Sequence, residues 1–403
     1  MAARFRLTTS GRRGAGLTMA HDDAVWRVLG HSVRGASHRR SGAPNQDAIL
    51  WWSPAPEGPP IALVLSDGHG SDKSFRSEIG SRLAVETTMA LLRELLGVLS
   101  RSPHLSAVKR TAEERLPQEI VRGWQAAVDA HLAEHPLTDE ELARLEEKRG
   151  AAACREVMDH PHLAYGATVL AALVARTFML FVQLGDGDIL LVPDGGGVLR
   201  PMARDPRLIA NETTSLCMAR AWEEVQLRFQ ASDGGLPALI LLATDGYANS
   251  FVNEAAFLQV GTDLLAIMQE DGAQAVEANL GSWLEEASAA GSGDDISLGI
   301  LYRDDVVPAV ARPETPVPDA AQVVSEASAG AHDGAPPRED GAQARGDERA
   351  RIVARIKHEG PREPAKRGRP ADLIDEKAVV PRDDAAPAGG TPDQGPAEGP
   401  DGA

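Results

Sequence analysis

The chain has 403 residues and a formal net charge of -18, which argues against nonspecific attraction to nucleic acid or to an anionic membrane surface. Its two cysteines, Cys154 and Cys217, form neither a Cys-x-x-Cys pair nor a disulfide framework, which fits a reducing cytoplasm and argues against a zinc or redox centre. No run approaches the roughly 20 apolar residues that a membrane span needs.

Residues 1–23 read as a flexible leader. Trp26–Val33 is predicted to be the first strand. Gly35–Pro44 is a polar, basic loop that carries His38, Arg39 and Arg40. Asp47 opens a second strand that runs to Trp52. Ile61–Ser66 is a short apolar run, read as a buried strand, and it stops abruptly at Asp67-Gly68-His69-Gly70. From Phe75 to Leu99 the apolar residues Ile79, Leu83, Met89, Leu92 and Leu96 recur at helical spacing, as for a face packed on a sheet. Ile120, Trp124, Val128 and Leu132 mark a second helix. The charged stretch of about 136–160 reads as a solvated helical insertion, entered through the capping box Thr138-Asp139-Glu140-Glu141.

Strands return between Gly166 and Arg200. One of them ends in Gly185-Asp186-Gly187. Asp194-Gly195 between two strands is a turn signal and is assigned no chemistry. Val225–Phe229 and Leu239–Ala243 follow, the latter running into Thr244-Asp245-Gly246. Phe251–Gln269 and Ala273–Ser288 form a second helix pair. Gly293-Asp294-Asp295 then leads into a last strand, Ile296–Tyr302. Strands, helices, strands, helices and a strand in this order predict an α+β fold with antiparallel sheets.

Composition changes at about residue 304. Residues 305–403 hold 14 of the 27 prolines and no aromatic residue, so they cannot bury enough apolar surface to offset ordering entropy. They read as a disordered Pro/Ala/Gly/charged tail, with 24–304 as the folded unit. Within the tail, Lys366-Arg367-Gly368-Arg369-Pro370 resembles the core of an AT-hook. A single five-residue match does not make nucleic acid an expected partner.

The chemistry lies in the acids at strand ends. Mg²⁺ and Mn²⁺ take oxygen ligands, and Asp47, Asp67, Asp245 and Asp294 could converge on such ions. Gly68 allows close approach of the main chain and exposes a carbonyl. His38, Arg39 and Arg40, just before Asp47, suit a clamp on phosphate oxygens.

The ordered set Gly35-x-x-His38, Asn45-Gln46-Asp47, Ser66-Asp67-Gly68-His69-Gly70, Gly166-Ala167-Thr168, Gly185-Asp186-Gly187, Thr244-Asp245-Gly246 and Gly293-Asp294-Asp295-Ile296-Ser297 resembles the metal-dependent protein phosphatases (protein phosphatase 2C, PPM type), in particular bacterial members. The resemblance implies a four-layer α-β-β-α sandwich, with two central antiparallel sheets flanked by helix pairs. It implies two Mn²⁺ or Mg²⁺ ions, with Asp67 bridging, Gly68 contributing its carbonyl, Asp245 and Asp294 on one ion, and Asp47 as an outer ligand. Asp186, with Asp245, would support a weaker third ion. Asn45 and Gly166-Ala167-Thr168 read as structural.

The implied activity is hydrolysis of phosphoserine and phosphothreonine in proteins by direct attack of a hydroxide held between the metals. The substrates would be phosphorylated proteins, a cognate Ser/Thr kinase among them. Two departures stand out: Gln46 where Glu is common, and His38 where many members have Arg. Phosphate binding is therefore shared among His38, Arg39 and Arg40. His69 either meets the substrate and protonates the leaving group or makes a hydrogen bond behind the site. Asp295 stands where Asn is frequent. The alternative reading is a catalytically impaired phosphatase-like module that binds phosphoproteins or scaffolds a kinase.

Overall fold

The structure is a computed structural model and describes residues 24–56, 58–101, 104–204 and 213–307. The leader, the AT-hook-like segment and residues 308–403 lie outside the described residues.

Nine strands and eight α-helices are described. In chain order they are β1 (Trp26–Val33), α1 (Ala36–Ser41), β2 (Ala48–Trp52), β3 (Ile61–Ser66), α2 (Ser77–Arg101), α3 (Leu105–Glu134), α4 (Asp139–Arg149), α5 (Ala151–Asp159), β4 (Val169–Val174), β5 (Phe178–Leu184), β6 (Asp188–Val192), β7 (Gln226–Ala231), β8 (Leu239–Ala243), α6 (Asp245–Ala248), α7 (Glu254–Asp271), α8 (Ala273–Ala290) and β9 (Ile296–Arg303). The strands form a four-stranded sheet, β1-β9-β8-β6, and a five-stranded sheet, β2-β3-β4-β5-β7. Every pairing is antiparallel.

The continuous apolar runs have a simple cause: the central strands are buried on both faces. In β3, Ile61, Leu63 and Leu65 face the other sheet, while Ala62 and Val64 face helices. Leu170, Ala172 and Val174 of β4 and Ile240 and Leu242 of β8 join the inter-sheet core. Met89 and Leu92 of α2 and Ile120, Trp124 and Val128 of α3 cover the five-stranded sheet. Phe257, Leu264 and Met268 of α7 and Val276, Leu280 and Leu284 of α8 cover the four-stranded sheet. This is the four-layer α-β-β-α sandwich.

Two local expectations change. The basic stretch 35–44 is not a plain loop: Ala36–Ser41 form a short helix that ends at Gly42, whose φ of 82° only glycine adopts readily. His38, Arg39 and Arg40 occupy its last turn, where positive charge suits the helix dipole. The charged stretch after Pro136 is less solvated than its composition suggests. It breaks at Gly150 into α4 and α5, and Leu145 and Val157 are buried in the same core as α2 and α3. The Thr138–Glu141 capping box forms.

Helices α4 and α5 also hold the segment that follows Asp67. Arg76 makes two hydrogen bonds to the Glu141 carboxylate, both 2.7 Å, and also donates to Tyr165 Oη and to the carbonyls of His135 and Pro136. Hydrogen bonding to Glu141 raises the Arg76 pKa. Burial pushes Glu141 up, but the bonds from Arg76 and Thr138 outweigh it and bring its pKa to about 2. Lys73 pairs with Glu156 at 2.6 Å and Asp72 with Lys148 at 3.1 Å. The turn residue Asp194 is exposed and pairs with Arg303 at 2.9 Å.

Candidate metal centre

Strand register brings the acids together. β2 and β3 are antiparallel with Ala48 opposite Ser66, so Asp47, just before β2, and Asp67, just after β3, share one edge. Leu65 pairs with Leu170 near the start of β4, and the next residue, Val169, pairs with Leu184 at the end of β5. Asp186 therefore follows at the same edge. In the other sheet Ala243 pairs with Leu298, which places Asp245 and Asp294 at a common end.

Asp67 is held by its main chain. Its N–H donates to Thr168 Oγ1 at 2.9 Å, and its carbonyl accepts from Thr168 N at 2.8 Å. Gly68 N donates to the Gln46 carbonyl at 3.1 Å. A Cβ at Gly68 would lie 2.6 Å from both the Gln46 and Ser77 carbonyl oxygens, so only glycine allows this approach. Gly166-Ala167-Thr168 thus braces the loop after β3: His69 N donates to Gly166 O at 2.9 Å, and the His69 ring packs against Gly166.

Asp47 Oδ2 accepts from Thr244 Oγ1 at 2.8 Å. Its Oδ1 is buried with no hydrogen-bond partner among the described residues. Asn45 Oδ1 accepts from Asp47 N at 3.0 Å, and Asn45 Nδ2 donates to Ser32 Oγ at 2.9 Å. Asp245 is the first residue of α6 and its Oδ2 accepts from Asn249 Nδ2 at 2.9 Å. Asp294 Oδ1 accepts from Asp295 N at 3.0 Å. Asp186 Oδ1 accepts from Thr213 Oγ1 at 3.0 Å.

The carboxylates feel one another. Burial raises the Asp67 pKa well above its ordinary value, and the charges of Asp245, Asp47 and Asp294 add to this, as does a hydrogen bond shared with Asp245. Asp47 is likewise raised by burial and by Asp295 and Asp294, against hydrogen bonds from Thr244 and Ser297. Buried acids that repel one another call for positive charge. An all-oxygen donor set with a buried, unpartnered carboxylate oxygen fits Mg²⁺ or Mn²⁺.

The basic residues separate. Arg39 Nη2 donates to Glu285 at 2.8 Å and Arg40 Nη2 to Ser37 Oγ at 2.9 Å, both at the surface. His38 Nδ1 lies 2.8 Å from Asp295 Oδ2. Asp295 carries more structure than its place in the sequence suggested, because it also accepts from Gly35 N and Gln46 N. Arg34 escaped the sequence reading, although it follows β1 directly and stands one residue before the first motif. Its Nη2 donates to the His38 carbonyl at 3.0 Å, and its Nε is buried without a partner among the described residues. Thr244, Thr168 and Ser297 were visible only as motif letters, because their work is hydrogen bonding across strands. Cys217 sits beside Ser215, and burial pushes its thiol pKa up, the wrong direction for a nucleophile.

No curated protein matches the chain significantly. Solved structures similar to this chain include the catalytic domain of the serine threonine protein phosphatase PstP in complex with two manganese ions (18% identity, 70% of this chain and 99% of that chain, TM-score 0.41). They also include PppA, described as a key regulatory component of T6SS in Pseudomonas aeruginosa (18%, 70% and 100%, 0.41), and the serine/threonine phosphatase Stp1 from Staphylococcus aureus (14%, 73% and 99%, 0.40). The sequence model of protein phosphatase 2C matches residues 34–285. On that match over more than half its length, the chain belongs to the protein phosphatase 2C family.

Proposed function

We propose that this protein is a metal-dependent phosphatase that hydrolyses phosphoserine and phosphothreonine in proteins. The observation that carries the reading is the half-buried, mutually repelling charge cluster of Asp47, Asp67, Asp245 and Asp294, drawn from four separate strand ends. Asp67, Asp245 and Asp294 would hold two divalent ions with the Gly68 carbonyl, and Asp47 would take an outer place. Asp186 would serve a weaker third ion with Asp245. Ions there would acidify a water and neutralise phosphoryl oxygens.

The chain's own residues supply the rest. Thr168 and Thr244 fix the Asp67 main chain and the Asp47 carboxylate. His38, Arg39 and Arg40, with Arg34 beside them, are the residues that would meet the substrate phosphate. His69, braced on Gly166, would hand a proton to the leaving alkoxide. Gln46, where Glu is common, does not argue for an impaired module: it contacts Asp295 and Gly68 through its main chain, which any residue offers. Phosphorylated proteins, including a cognate Ser/Thr kinase, are the proposed substrates. Among the described residues no helix is long and apolar enough to cross a membrane.

Phosphate release from a phosphothreonine peptide tests the reading. It should require Mn²⁺ or Mg²⁺ and stop with chelator. Turnover that persists in chelator would refute the mechanism.

A further inference from the structure

Behind the loop that follows Asp67, one buried arginine has every donor committed. All five guanidinium N–H groups of Arg76 find acceptors: both Glu141 oxygens, the His135 and Pro136 carbonyls and Tyr165 Oη. Arg76 stands just before α2, and the next residue, Ser77, is one of the two whose carbonyls crowd Gly68. Tyr165 in turn precedes Gly166, whose carbonyl accepts from His69 N. The Arg76 cluster thus ties the end of α3 and the start of α4 to the main chain around Gly68.

The hydrogen bonds of this cluster assign a tautomer. Tyr165 is fully buried, and its Oη has two partners, Arg76 Nη1 at 2.7 Å and His131 Nδ1 at 2.8 Å. A guanidinium only donates, so the tyrosine proton has one acceptor among the described residues, His131 Nδ1. That requires a neutral imidazole with its proton on Nε2. A protonated His131 would turn a second donor on Oη, leave the tyrosine O–H without an acceptor and set a cation beside Arg76. The surroundings give it little relief. His135 stacks on the His131 ring at 4.5 Å, and Arg82 of α2 adds another positive charge. Glu141 of α4 is already bound to Arg76, Asp129 of α3 is bound to His162 at 2.7 Å, and Glu78 of α2 acts on Tyr165. Glu134 favours the charged ring, but burial, with His135, Arg76 and Arg82, lowers the His131 pKa despite it.

We propose that His131 is a proton-sensitive latch: neutral, it locks Tyr165 onto Arg76 and holds the start of α2 against Gly68; protonated, it releases that segment and α4. The effect on turnover rests on the metal reading above; the latch itself does not. In the opened state His131 titrates at its ordinary value of about 6.5, and in the locked state lower. Opening therefore grows as pH falls below about 6.5, by at most about tenfold per pH unit for one proton.

Hydrogen exchange of the full chain, read by mass spectrometry, tests this without any activity assay. The comparison is with His131→Asn, whose side-chain oxygen accepts where Nδ1 does and does not titrate; measuring both at each pH cancels the titration of the acids. Peptides covering 72–80 and 136–145 should exchange equally in the two proteins at about pH 7.5 and severalfold, at most about tenfold, faster in the wild type at about pH 5.5. By ¹⁵N-histidine NMR, His131 should be the Nε2–H tautomer and titrate below about 6.5. Tyr165→Phe should move that titration up toward the ordinary value, which decides the matter if His131→Asn fails to fold. Equal exchange in both proteins at both pH values, an Nδ1–H tautomer, or titration at or above about 6.5 would overturn the latch and leave the phosphatase reading intact. Faster exchange in α4 without any at 72–80 would overturn it too, because the segment beside Gly68 would then not be held by the cluster.

Discussion

Gly246→Ala is the most direct probe of how the fold spaces the two acids of the four-stranded sheet. Gly246 follows Asp245 in α6, and a Cβ there would lie 2.1 Å from the Asp295 carbonyl oxygen and 3.2 Å from Asp294 Cβ. An ordinary C···O contact is about 3.3–3.6 Å, so the contact must open by roughly 1.2 Å. The oxygen belongs to the main chain and cannot rotate away. Overpacking of this kind costs ~1–3 kcal/mol, and the rigid neighbour puts it at the upper end. Alanine returns ~0.4–1 kcal/mol by restricting the unfolded chain. The net loss is about 2 kcal/mol, or a melting temperature lower by about 4–8 °C for a domain of this size. The same opening moves Asp245 away from Asp294, and a misplacement of ~1 Å at a catalytic centre can cost about a hundredfold in rate. Gly195→Ala is the control, because nothing lies within 4 Å of its added Cβ; it should stay within ~0.5 kcal/mol. Urea denaturation gives the stabilities and calorimetry the Mn²⁺ affinities. If Gly246→Ala matches Gly195→Ala in both, the close contact does not set the spacing of the acids.

Two further outcomes follow from the charges. Asp47 and Asp67 have folded pKa values raised above the ordinary 3.8, so their contribution to stability is present below that value and is lost as pH rises through the folded values. In chelator, the melting temperature should therefore fall as pH rises from about 4 toward 8; Mn²⁺ should reverse the fall, and Asp67→Asn should flatten it while abolishing turnover. A melting temperature in chelator that climbs over that range would contradict the electrostatic argument. Arg76→Met strands the Glu141 carboxylate and three other acceptors; breaking a largely buried pair in this way should cost about 3 kcal/mol in urea denaturation, and a loss below 1 kcal/mol would show that solvent replaces the pair.

Much of this protein was legible one element at a time. Apolar runs such as Ile61–Leu65 announce buried strands because a strand covered on both faces has no polar alternation to show. The four-residue spacing of Ile120, Trp124 and Val128 announces a helix for an equally local reason. Acids and glycines at strand ends, in a fixed order, were enough to identify the family. Other features were not local. The basic stretch before Asp47 carries no pattern long enough to reveal α1, and six residues of helix separate the directions of His38 and Arg39. Arg34 looked like an ordinary charge beside the first motif, and the hydrogen bonds that Asp295 makes to residues some 250 positions away could not be read from its own motif.

By itself the sequence determined the strands, the long helices, the antiparallel class and which acids stand at strand ends, because each depends on neighbours within a turn or a strand. Only the tertiary structure decided that the Asp67 carboxylate feels the charges of Asp245 and Asp294 from the other sheet, that Asp47 keeps one oxygen buried and without a partner among the described residues, and that Asp295 binds the main chain on either side of the basic helix, at Gly35 and Gln46, and pairs with His38. Those contacts join residues up to 260 positions apart. They exist only once strand register and the packing of two sheets have set the distances.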